Sequence, residues 1–263
     1  MLADQGATFQ PNEMRRIARG RTRTRTVART AAIALMAVTS AARPAQGQVL
    51  MGMLFGDKLA TDNFNIGFEI GMNFSSVDGL DGASRSNGPL IGLFASWRYS
   101  EHFHLYTGLY PLSAKGAQGA DPIPLNDPQL DPLVAPGRMD RELGYVDIPI
   151  LIQWAQHRDG GIRVGAGPQF GFRTSAVDRY EATTADGTEV VIENDLETEW
   201  LDVGIALDAE YRITGIGLAI GLRYYHGTTN VMSGGPGPAV HNRVLSGTGR
   251  IALGGRKPKS TPE

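Results

Sequence analysis

Residues 143–173 read LGYVDIPILIQWAQHRDGGIRVGAGPQFGFR. In the first half the even positions are Val146, Ile148, Ile150, Ile152 and Trp154, all apolar. The odd positions, Tyr145, Asp147, Pro149, Leu151 and Gln153, are mixed and mostly polar. Beyond the polar break QHRDGG the even positions are again apolar: Ile162, Val164, Ala166, Pro168, Phe170 and Phe172. Opposite them stand Arg163, Gly165, Gly167, Gln169, Gly171 and Arg173. Side chains alternate across a strand, so each half is expected to be a strand with one greasy face and one polar or small face. The break is short enough to join the two as an antiparallel hairpin.

The same alternation suits a soluble sheet lying over a core, so the composition of the polar face decides between the two. That face is rich in Gly with charges spaced along it, and each strand is long. Globular strands have a mode near 5–6 residues, whereas a tilted barrel strand needs about 9–11 to cross hydrocarbon. The pattern recurs along the chain. Phe64, Ile66, Phe68, Ile70, Met72 and Phe74 alternate with polar residues and Gly. Leu90–Tyr99, His102–Leu112, Trp200–Tyr211, Gly215–His226 and, more weakly, Arg243–Leu253 continue it. With the hairpin this predicts an all-β fold: an eight-stranded, antiparallel, up-and-down transmembrane β-barrel over residues 63–254.

The connections support the barrel. Segments 75–89, 113–142, 174–199 and 227–242 are long, while 100–101, the break near His157 and 212–214 are short. Alternating long and short connections are those of bacterial barrels, with short periplasmic turns and long outer loops. Trp97, Tyr99, Phe103, Trp154 and Tyr211 fall beside the short turns, where an inner aromatic girdle is expected. Phe74, Phe170, Phe172 and Tyr224 fall at the opposite ends and form a second belt.

The hairpin resembles the PorT-like outer-membrane β-barrel family, whose members carry a Tyr-hydrophobic-acid-Ile-Pro strand and an Ala-Gly-Pro-hydrophobic-Gly strand. YVDIPIL (145–151) and AGPQFGF (166–172) match these. GLYPLSAKG (108–116) and LRYYHG (222–227) are similar to further strands of the family, so the likeness covers about Asn63 to Gly254. It implies a small porin-like outer-membrane barrel, and a role in assisting secretion of other proteins is known for a relative. One departure is the hydrophilic ending IALGGRKPKSTPE, where such barrels usually present a terminal aromatic residue to the assembly machinery.

Residues 1–47 read as an export signal. The run RRIARGRTRTRTVART leads into a small, apolar stretch reaching Ala42, the size of a signal core and too short for a spanning helix. Small residues at Ala45 and Gly47 place cleavage before Gln48, and Met14 is a candidate true start. Arg15-Arg16 lacks the rest of a twin-arginine motif, so the general secretory route is expected. Residues 48–62 form an N-terminal lead-in without clear period, and 255–263 a polar tail. Eight of the 25 basic residues but only two of the 27 acidic ones lie in 1–47, leaving 17 bases against 25 acids, a net charge of −8. So acidic a body argues against nucleic acid, whose binding depends on neutralising phosphate. The absence of Cys excludes disulfides and thiolate metal sites.

The charges expected to face the lumen are Glu69, Asp147, Asp202, Asp208 and Glu210 with Arg98, Arg163, Arg173, Arg223 and Arg250. Eight strands leave an interior that side chains fill, so these should pair as a salt-bridged polar core. A narrow channel for small solutes is the alternative. Two weaker candidates are Ca²⁺ on Asp121, Asp127 and Asp131, which lack the EF-hand spacing, and a rim enzyme using His226 and Ser246, which no motif supports. The Gly-rich SGGPGP (233–238) opens no helix and is no phosphate loop. No catalytic, metal or cofactor residue is therefore expected. The expected partners are outer-membrane lipids, the barrel-assembly machinery, and an extracellular ligand or protein met by the outer loops. A soluble lipocalin-like barrel, its apolar faces turned inward, is the rival fold.

Overall fold

The computed structural model of the protein describes residues 63–158, 160–183, 187–196, 198–214, 217–232 and 239–253. The chain divides into units 1–54 and 55–263, and all described residues belong to the second. The expected signal segment 1–47, the lead-in 48–62, the tail 255–263 and SGGPGP lie outside them.

Nine strands are present among the described residues: β1 (Phe64–Asp78), β2 (Ser84–Arg98), β3 (Phe103–Ala120), β4 (Arg138–Ala155), β5 (Gly161–Thr183), β6 (Glu189–Asp195), β7 (Leu201–Arg212), β8 (Leu218–Gly227) and β9 (His241–Leu253). One helical turn, α1 (Asp131–Val134), sits between β3 and β4. Each of β1 to β5 pairs antiparallel with its successor, β5 pairs with β7, and β7, β8 and β9 follow in order. β9 then returns to β1 in a register running from Ile66 opposite Leu253 to Asp78 opposite His241. Eight strands thus close into an up-and-down ring, and the ninth, β6, pairs only with the outer end of β5.

That ninth strand corrects the expectation of a plain polar connection over 174–199. Glu189–Asp195 reads EVVIEND, and its alternating Val190 and Ile192 suffice for a short strand once β5 supplies an edge. β1 to β5 also extend further outward than expected: β1 and β2 are joined by residues 79–83, and β3 reaches Ala120 rather than Leu112. The extension of β3 passes a pairing irregularity between Tyr110 and Ser113, where Pro111 interrupts the alternation. Beyond it Ser113, Lys115 and Ala117 face inward, a phase opposite to that of Phe103–Leu109.

Polarity across the wall is inverted relative to a soluble protein. Ile70, Ile152, Leu207, Ile220 and Leu222 are all more than half exposed, whereas Glu69, Asp202 and Arg250 are at most 1 % exposed. The outward apolar band spans Ile66–Phe74 on β1, Val146–Trp154 on β4 and Val203–Tyr211 on β7, about the span a tilted strand needs. Trp97, Tyr99, Phe103, Trp154 and Tyr211 are exposed beside the short turns, as a periplasmic girdle requires.

Above that band the arrangement reverses. Val77, Ala117, Met139, Leu143, Ala176 and Tyr180 point inward and are buried, while Arg138, Glu142, Glu181 and Arg243 point outward and are exposed. The reversal marks where lipid gives way to water. Outside it the walls form a small platform with its own apolar core, built from Ala120, Val134, Met139 and Tyr180 with Leu80, Ala83, Leu125 and Ile192. The Tyr180 hydroxyl donates to the Ile123 carbonyl at 3.1 Å, fastening the segment that leads to α1.

Candidate functional site

The barrel interior is built in layers. At mid-height Arg250 is the hub. Its Nε donates to Glu69 Oε2 at 2.8 Å, Nη2 to Asp208 Oδ1 at 2.5 Å, and Nη1 to Glu210. Arg223 donates to Asp208 Oδ1 at 3.1 Å and to the Tyr106 hydroxyl at 3.1 Å, and lies 3.3 Å from Glu69 Oε1. The Tyr106 and Tyr110 hydroxyls both donate to Glu69. Both guanidiniums also lie over tyrosine rings, Arg250 at 4.9 Å from the Tyr106 centroid and Arg223 at 5.2 Å from that of Tyr110. Three strands, β1, β7 and β9, supply the acids and the hub, so the network ties the point of closure to β7 across the lumen.

Glycine makes this crowding feasible. At Gly108 on β3 a methyl group would meet the Tyr110 ring at 2.5 Å. Glycine recurs on the inward face where a neighbouring position carries a large ring, as Gly92 and Gly108 do against Tyr110 and Gly67 against Phe94.

Toward the outer side Lys115 Nζ donates to Asp147 Oδ1 at 2.9 Å and stands 3.7 Å from Asp202 Oδ2, between the rings of Tyr145 and Tyr225. Ser113 donates to Asp147 and Asn242 to Asp202, so each carboxylate has a second donor. Between this layer and the hub lies a void of about 10 Å³, lined by Asn73, Tyr110, Lys115, Asp147 and Arg223 among others, with room for about one water. Above, Arg141 makes a two-pronged contact with Asp178, Nε to Oδ1 and Nη2 to Oδ2, both at 2.7 Å. Two residues inward along β4 and β5, Leu143 and Ala176 form an apolar layer with Val77, Val231 and Val240, and two residues outward stand Met139 and Tyr180 of the platform core.

The buried charges among the described residues are Lys115, Arg141, Arg163, Arg212, Arg223 and Arg250 against Glu69, Asp147, Asp178, Asp202, Asp208 and Glu210. Six cations meet six anions. Ions removed from water are tolerated when paired and hydrogen-bonded, and in number the buried charges of this lumen balance.

Eight of the ten charges expected in the lumen are buried there. The other two stand at its ends: Arg98 donates to Asn63 Oδ1 at 2.6 Å near the short turns, and Arg173 to the Leu196 carbonyl at 3.2 Å at the outer rim. Lys115, Arg141, Asp178 and Arg212 were not anticipated. Arg141 and Asp178 lie on the outward extensions, and Lys115 lies past the Pro111 irregularity that changes the phase of β3. Its signal was the alternation Ser113-Lys115-Ala117 resuming one residue out of step.

The weaker candidates do not assemble. His226 is exposed on the outer wall, while Ser246 is buried in the lumen and donates to Asn73 at 2.7 Å. The sheet therefore separates them. Asp121 pairs with Arg138 at 3.0 Å, Asp127 accepts from the Gln129 backbone and Asp131 from that of Leu125. These acids organise their own loop, and among the described residues no group of acids and histidines is placed to hold a metal.

A closed antiparallel ring with lipid-facing apolar residues and a charged, filled lumen defines an integral outer-membrane β-barrel. Residues 45–233 match the family model described as "Outer membrane protein beta-barrel domain", and the chain belongs to that family. Its place is the outer membrane. No curated protein matches it in sequence. Among solved structures it is similar to OprG of Pseudomonas aeruginosa (10 % identity, 72 % of this chain and 94 % of that one, TM-score 0.40). It is also similar to Ail, the attachment invasion locus protein of Yersinia pestis (9 % identity, 72 % and 99 %, TM-score 0.39).

Proposed function

We propose that the protein serves a structural and surface-interaction role, holding its outer platform against a ligand or protein outside the cell, and is neither an enzyme nor an open channel. The observation that carries this reading is the stacked closure of the lumen. The Arg250 hub, the Lys115 layer, the apolar layer around Leu143 and the Arg141–Asp178 pair follow one another beneath the apolar core of the platform. A solute would have to break buried ion pairs in succession, each costing about 3–5 kcal/mol when one partner is lost. The platform, by contrast, is ordered by its own core and faces water, as a recognition surface should.

The narrower PorT-like kinship, and with it assistance to secretion, belongs to this reading. So do export by the general secretory route and insertion by the assembly machinery. The test is twofold. In planar bilayers the refolded protein should give no discrete conductance steps, and regular steps would instead favour the narrow channel. Cells expressing the protein, and cells expressing a form with 184–200 replaced by a Gly-Ser linker, are then compared for retention on immobilised glycans and extracellular proteins. Equal retention of both would sink the interaction role.

A further inference from the structure

The lumen charges balance in number but not in position. On the outer side Lys115 stands against both Asp147 and Asp202, one negative charge in excess. At the periplasmic end Arg163 and Arg212 share one oxygen of Glu210, at 3.7 and 3.3 Å, while its other oxygen is taken by Arg250. Among the described buried residues, that end is one positive charge in excess.

The geometry there is incomplete in the same sense. Arg163 is 2 % exposed, yet among the described residues its Nε and Nη1 have no hydrogen-bond partner. The Nε of Arg212, 8 % exposed, has none either, nor do the Ser96 hydroxyl and both ring nitrogens of His104. Arg163, Arg212 and His104 form one layer. The charges of Arg163, Arg212 and Arg98 all bear on His104, and pairing sets His104 opposite Gln153, Arg163 opposite Ala155 and Arg212 opposite Gly161, all beside the short turns. Gln153 Oε1 is an unpartnered acceptor in the layer, but the other free groups are chiefly donors and the missing charge is negative. A water would satisfy donors and leave the charge uncompensated; an anion does both. The enclosure of Arg163 favours an ion of one atom over a tetrahedral oxyanion.

We infer that the periplasmic end of the lumen binds one small inorganic anion of chloride size between Arg163 and Arg212. A ring N–H of His104 supplies a further donor in the same layer. The bound ion completes the charge balance of that layer, and the layer becomes a fixed anion seat at the periplasmic mouth.

The test uses the refolded full chain in detergent, with sodium chloride exchanged for sodium gluconate at constant ionic strength. An ion that binds only the folded state raises the unfolding midpoint as its concentration rises. The midpoint should climb with chloride and not with gluconate. Arg163→Gln and Arg212→Gln should abolish the climb, while Arg138→Gln on the outer surface should leave it intact. Should both lumen variants fail to fold, ³⁵Cl line broadening on the unaltered protein, displaced by bromide, decides the matter. A midpoint indifferent to the choice of anion, an undiminished climb in a folded Arg163→Gln, or no displaceable broadening would each overturn the inference.

Discussion

Glu69 has no water to fall back on: both tyrosine hydroxyls and Arg250 converge on its Oε2, and Arg223 stands at its Oε1. Glu69→Ala removes the acceptor and leaves two buried guanidiniums competing for Asp208 and Glu210. Loss of one partner of a buried pair typically costs about 3–5 kcal/mol, and the expected outcome is a fall of that order in unfolding free energy, read by urea titration in micelles. Steric crowding gives a second prediction at the same scale. A methyl group at Gly108 would stand 2.5 Å from the Tyr110 ring. Overpacking of this kind costs about 1–3 kcal/mol, so Gly108→Ala should destabilise, and combining it with Tyr110→Ala should relieve the clash in a double-mutant cycle.

At the scale of elements, β6 divides what is essential from what is displayed. It pairs with Val177–Thr183 of β5, outside the lipid band, and takes no part in ring closure. Replacing 184–200 by a Gly-Ser linker should therefore leave a folded barrel whose unfolding midpoint is little changed. A barrel that no longer forms would show that β6 is needed for assembly. The same division explains what the sequence made legible. Within lipid, the inside-out alternation of Val146–Trp154 or Phe64–Phe74 permits only one assignment, because a slip by one residue would turn every charge outward. Eight strands, their facing and most of the lumen charges followed from it. Above the lipid the period itself breaks: on β5 Gln169 and Gly171 face inward at odd positions but Ala176, Asp178 and Tyr180 at even ones, with the pairing irregularity opposite Gly144/Tyr145 between them. That reversal, the phase change after Pro111 and the strand EVVIEND have no single period, so the strand ends, Lys115, Arg141 and Asp178 stayed hidden.

For the whole molecule, the decisive quantity is the environment of the outer wall. Leu222 lies midway along β8, 58 % exposed, with Ala209 and Gly247 as its neighbours on the flanking strands. In a soluble barrel with this geometry an arginine there would be a surface substitution of small effect. In a bilayer it must lie near the middle of the hydrocarbon, where a lipid-facing Arg costs about 2–4 kcal/mol. Arg243→Leu supplies the contrast, since Arg243 sits above the band and pairs with Asp78 on an exposed face. Exposed pairs of that kind are worth about 0–1 kcal/mol. Folding into vesicles should therefore be strongly impaired by Leu222→Arg and barely altered by Arg243→Leu, as followed by the unboiled, faster-migrating band on gels. The length of the penalised stretch then measures the membrane directly. Arg scanned through Ile220, Leu222 and Tyr224 should cost most in the middle and progressively less toward either end. A flat profile would mean that no hydrocarbon surrounds this wall and that its exposed leucines and isoleucines need another cover.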